Sequence, residues 1–118
     1  MQENPLKEKS LDFAVQTYEL CKIIEKLHLY EISKQLKRSG TSIGAQIFES
    51  ENAVSKADFI HKLSISQKET NETLYWIEII KRIATLEETQ FLLKYESKAI
   101  ELKKILTSIL IKLKSKNQ

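Results

Sequence analysis

Two acid-x-x-His pairs, Glu25 with His28 and Asp58 with His61, are the spacings in this chain that come closest to metal chemistry. A carboxylate three residues before an imidazole puts both on one helix face, and ferritin-like bundles hold two metal ions with such pairs. The pairs can share a site only if the fold brings them to one level. In four successive antiparallel helices, His28 falls at the end of the first and His61 near the start of the third, at opposite ends of the bundle. Each histidine therefore reads as a surface or cap residue, and no metal site is expected. Cys21, the single cysteine, lies on an apolar helix face with no evident histidine partner nearby, so a buried, inert thiol is expected. No glycine-rich phosphate loop follows a strand, and there is no nucleophile elbow and no Cys-x-x-Cys pair. Enzymatic chemistry, a cofactor and a small-molecule substrate are accordingly not predicted.

The elements that must position these residues are helices. With 118 residues there is room for one core, and two Gly with one Pro leave little punctuation for a sheet of many turns. One all-α domain spanning 1–118 is predicted. Apolar spacings of three and four, with capping pairs Ser55/Asp58 and Thr85/Glu88, predict helices over about 10–27, 30–52, 56–84 and 86–114. Asn4 and Pro5 read as a polar lead-in. In the first helix Leu11, Ala14, Val15, Tyr18, Cys21 and Ile24 form one apolar line, and Phe13, Leu20 and Leu27 a second. The second helix carries Ile32, Leu36, Ile43 and Ile47 in phase across Gly40, which argues against a helix-turn-helix break there. Gly40 and Gly44 each cost about 1 kcal/mol against Ala inside a helix, so a bend or a close backbone approach is expected. The last helix repeats Leu92, Tyr95, Ala99, Leu102, Leu106, Ile109 and Leu113 at alternating threes and fours. Short connections between such rods favour an antiparallel up-down-up-down four-helix bundle.

The third helix is apolar at both ends and wholly polar from Ser66 to Thr73. That run is either a solvated face or a polar layer inside or between bundles, because Glu69 and Glu72 share their line with Trp76 and Ile79. The second helix offers a complement in Gln35, Arg38, Ser42, Gln46 and Glu49, one stripe at threes and fours. A hairpin turning near Ala53 and Val54 sets Arg38 level with Glu69, and Gln35 level with Glu72. A buried carboxylate requires a partner, and the forked guanidinium of Arg suits that role.

These same residues carry a family resemblance. Arg38 and Ser39, Ser42 and Ile43, Ile47 and Glu49, then Ser55, Lys56 and Phe59, and finally Glu69, Glu72, Thr73 and Trp76 follow one pattern. It resembles the family of proteins encoded in intervening sequences of bacterial 23S rRNA genes, also labelled S23 ribosomal proteins. Gln46 stands where that family commonly has Asn, and Ser66 where Ala is common. The resemblance implies a four-helix bundle assembled into a ring, typically a homopentamer, without established enzymatic activity. It also implies kinship with the accessory variability protein of diversity-generating retroelements, a basic pentameric barrel that works with nucleic acid.

Independent signs of assembly lie in surplus apolar surface. The first helix has two apolar lines where a bundle needs one, and Leu74 to Ile80 is apolar nearly all round apart from Glu78. Nucleic acid is the alternative partner. Lys103, Lys104, Lys112, Lys114 and Lys116 crowd the last helix, and five copies of a +3 chain would carry +15. The plainer reading is that these lysines solvate an outer face and complement the helix dipole. No apolar run is long enough to span a bilayer, and no basic-then-apolar leader precedes the first helix, so no membrane partner and a cytoplasmic, bacterial-type protein are expected.

Overall fold

The computed structural model describes residues 4–115, and among them the side chains of 4–85 and 90–115. Four helices account for nearly all of it: α1 (Pro5–Glu25), α2 (Tyr30–Ser50), α3 (Lys56–Ile83) and α4 (Leu86–Ser115). Each packs on its neighbour in sequence, and α1 closes the square against α4. Every pair is antiparallel, as cross-links at descending heights show. Lys7 meets Glu51 and Cys21 meets Ser33 between α1 and α2, while Lys9 meets Glu101 and Thr17 meets Tyr95 between α1 and α4.

The helix ends follow from local chemistry. Asn4 is the N-cap of α1, its side chain accepting from the Lys7 N–H at 3.2 Å, and Pro5 occupies the first turn, where a missing N–H costs nothing. The helix thus begins about five residues earlier than its apolar line predicts, since the lead-in is itself the cap. At the other end, the Leu29 and His28 N–H groups return to the carbonyls of Ile24 and Glu25, a Schellman closure with His28 in the left-handed region at φ 64°. Ser55 caps α3 by accepting from the Asp58 N–H at 3.0 Å, as its spacing predicts. α4 begins directly after Thr85, while the Glu88 side chain lies outside those described.

The core runs through Phe13, Leu20, Ile24, Leu36, Ile43, Ile47, Leu63, Ile77, Leu102 and Leu106. Two expectations are corrected here. On α1, Leu11, Val15 and Tyr18 face outward, because the inward face is completed by Ser10 and Thr17, small hydroxyl residues that an apolar count overlooks. On α4, burial passes from Leu106 to Leu110, leaving Ile109 and Leu113 half-buried. A 3.6-residue helix drifts off a strict heptad stripe in this way.

α2 passes through both glycines as one continuous helix, so the close approach, rather than a break, is what they serve. A Cβ at Gly40 would stand 2.6 Å from Thr17 Oγ1 and 2.9 Å from the Tyr95 hydroxyl, well inside contact distance. A Cβ at Gly44 would stand 3.2 Å from Ser10 Oγ. Under Gly40, Thr17 Oγ1 donates to the Phe13 carbonyl at 2.8 Å and lies 2.7 Å from the Tyr95 oxygen. Its one proton being used, the Tyr95 hydroxyl is the donor to Thr17. Burial holds that phenol well above its ordinary range.

Candidate functional site

The polar middle of α3 divides by face. Ser66, Thr70 and Thr73 are buried, Ser66 and Thr73 in contact with α2, and Lys68 and Asn71 are exposed. Ser66 Oγ donates to the Ile43 carbonyl across the interface at 2.8 Å, Thr70 Oγ1 to Ser66 at 2.8 Å, and Thr73 Oγ1 lies 2.9 Å from both Ser39 Oγ and the Glu69 carbonyl. Small hydroxyls thus replace a hydrophobic layer without leaving a polar atom stranded, since no described buried side-chain N or O lacks a partner.

Beside this layer Arg38 reaches from α2 to α3. Its Nη1 donates to Glu69 Oε2 at 2.9 Å, its Nη2 donates to Glu72 Oε2, and its Nε donates to Gln35 Oε1 at 3.3 Å. Glu72 also accepts from the Trp76 indole N–H at 3.1 Å. Glu69 is only 9% exposed, so the guanidinium takes the place of water at its carboxylate. Burial pushes the Glu72 carboxyl up, but the Trp76 and Arg38 hydrogen bonds outweigh it and hold the group below the usual carboxylate range. The bond to Glu72 in turn raises Arg38.

The expected stripe is therefore assembled in part. Arg38 meets Glu69 as its register predicts, whereas Gln35 turns to Arg38 on its own helix and leaves Glu72 to the second arm of the fork. Glu69 and Glu72, one turn apart, suit a single guanidinium better than two separate partners. Ser42 donates back to the Arg38 carbonyl at 2.7 Å, and Glu49 lies 3.8 Å from Lys62 near the hairpin end. Gln46 is half-buried on the stripe, outside this network. The arrangement joins two helices and presents no nucleophile beside a base.

The other candidates are dispersed. Cys21 is buried, its Sγ 3.5 Å from the Ser33 carbonyl, and desolvation raises its pKa. His28 lies in the α1–α2 turn and His61 on exposed α3 surface; among the described residues no group of three or more metal-ligating side chains converges. Lys103, Lys104 and Lys112 line an apolar groove of about 640 Å³ with Leu74, Ile100 and Ile111. Lys114 is exposed at the helix end, and Lys116 lies outside the described residues. Pattern reading did not find the ion cluster at the α1–α2 end, where Glu25 accepts from Ser33 and, at 3.0 Å, from Lys37. Its partners come from two helices joined by a turn, so no single-helix spacing signals it. The Thr17–Tyr95 contact under Gly40 was legible only as a small-residue series, Ser10 and Thr17 opposite Gly44 and Gly40.

These features define an all-α four-helix-bundle protein whose densest polar cluster binds helix to helix. The profile of the 23S rRNA-intervening sequence proteins matches residues 2–108, and the chain belongs to that family. It is similar to a crystal structure, at 1.70 Å, of a protein of unknown function from the S23 ribosomal protein family of Bacteroides thetaiotaomicron VPI-5482. The two share 44% identity with a TM-score of 0.81, over 89% of this chain and 97% of the other. No curated protein matches the chain. Among the described residues no helix is long and apolar enough to cross a membrane.

Proposed function

We propose that this protein is a non-enzymatic, cytoplasmic assembly module that works as a homo-oligomer, with the pentamer implied by its family resemblance as the copy number. One observation carries the reading. A bundle whose core is already complete still exposes Leu11 (45%), Val15 (57%) and Tyr18 (53%) on α1, and Ile100 (39%) and Ile111 (63%) on α4. Clusters of this kind mark interaction surfaces more often than isolated surface leucines do. In this reading Arg38, Glu69, Glu72 and Trp76 fix the register of α2 against α3, so that those faces are presented in one geometry. Sedimentation equilibrium is the test: a mass several times 13.7 kDa is expected, and a single-chain mass at all concentrations would contradict the reading.

A second reading is favoured by a separate observation. Lys103, Lys104, Lys112 and Lys114 are exposed and take part in no ion pair among the described residues. Such lysines could hold phosphate backbones without reading sequence. A mobility shift with structured RNA or duplex DNA that weakens steeply with salt is its expected signature. No shift at low salt would remove it.

A further inference from the structure

Among the exposed apolar residues, two groups form surfaces of different shape and opposite net charge. On α1, Leu11, Val15 and Tyr18 form a ridge spanning two helical turns, about 10 Å. Exposed Glu8, Asp12 and Glu19 flank it on the same helix against one exposed lysine, Lys22, at its end, and among the described residues none of the three acids enters an ion pair. On α4 and α3, Ile100, Ile111 and Leu74 line the open groove, with Ile100 and Ile111 three turns or about 16 Å apart. Its charged lining is Lys103, Lys104 and Lys112, likewise in no ion pair among the described residues.

The ridge is short enough to be received by the groove, and its flanking carboxylates would face the groove's ammonium groups. We infer that the α1 ridge of one copy docks into the α3/α4 groove of a second copy. This rests on the assembly reading and adds to it the identity of the two faces. Because ridge and groove are different surfaces, the contact is heterologous: every copy offers one of each, and the chain of contacts ends only by closing on itself. A two-fold dimer, which buries the same patch on both partners, is not what these surfaces build. The contact also occupies three of the lysines that nucleic acid would otherwise engage, so assembly and binding through that groove exclude one another.

Two double variants test this. Leu11→Lys with Val15→Lys opposes like charge to the groove lysines, and Ile100→Glu with Ile111→Glu opposes like charge to the ridge acids. All four positions are exposed, so the helical circular dichroism of each variant should match the wild type; Val15→Lys and Ile111→Glu alone serve if either double variant unfolds. Each variant by itself should sediment as a single chain. Mixed one to one, they should regain an equimolar complex of two copies or more, since the mixture still contains one intact ridge and one intact groove. An oligomeric wild type with both variants unchanged in mass would overturn the assignment of faces and leave the assembly reading standing. Variants that separate into single chains and stay separate on mixing would overturn the head-to-tail contact. A monomeric wild type would overturn the assembly reading and this inference together.

Discussion

Arg38 stands half in water, so the cost of removing it is set by what it leaves behind on α3. Truncation strands Glu69, which is nearly buried, and takes from Glu72 one of its two donors. Arg38→Ala should therefore lower unfolding stability by about 1–2 kcal/mol in a urea melt, the partial exposure of Arg38 keeping the loss below that of a fully buried pair. A change within a few tenths would show that water replaces the guanidinium. Glu72 adds a dependence on pH. Its folded pKa lies below its ordinary value of 4.5, so its contribution is fully present above that value and is lost as pH falls through the folded pKa. Glu25 and Glu51 are lowered in the same direction, by Ser33 with Lys37 and by Lys7. Stability should thus fall as the pH drops below 4.5, and Glu72→Gln should fall less steeply there. An identical slope in the variant would place the acid response elsewhere. The level of Arg38 against Glu69 was legible because hairpin register is simple addition. The double grip on Glu72 was not, because spacing along one helix does not say how far a forked side chain reaches across to another.

At the scale of elements, α1 and α2 approach closely because side chains are missing or small where they cross. Gly40→Ala would gain about 1 kcal/mol of helix propensity and lose more to overpacking, since Thr17 is held between the Phe13 carbonyl and Tyr95 and cannot retreat. A net loss of about 1–2 kcal/mol is expected from its thermal melt. Gly44→Ala, meeting Ser10 at 3.2 Å, should be milder. The reverse order of the two variants would contradict the packing described here. The α1 terminus offers a gain instead. His28 carries the left-handed turn at φ 64°, a conformation glycine adopts freely, so His28→Gly should raise stability by about 0.5–1 kcal/mol. No gain in the melt would mean that the contact between the His28 ring and the Tyr30 hydroxyl, 3.2 Å, offsets the turn. Helix count, order and three of the four helix starts were legible in the apolar periods and capping pairs. The start of α1 and the inward face of that helix were not, because Asn4 with Pro5 and Ser10 with Thr17 are polar or turn-forming types put to structural use.

At the scale of the molecule, four helices close one core and leave two apolar surfaces, the α1 ridge and the α3/α4 groove, that the fold itself does not need. The excess was visible in the sequence as too many apolar lines, but which residues would form it was not: Leu11, Val15 and Tyr18 looked as fit for the core as Phe13 and Leu20. Only the hydroxyl face of α1, fitted against the glycines of α2, turns them outward. The proposed use of both surfaces is association. Sedimentation equilibrium of the wild-type chain over a hundredfold range of concentration is the most direct measurement of it. A species several times 13.7 kDa is predicted, about 68 kDa if five copies close the ring as the family resemblance implies. A mass of 13.7 kDa throughout that range would contradict it.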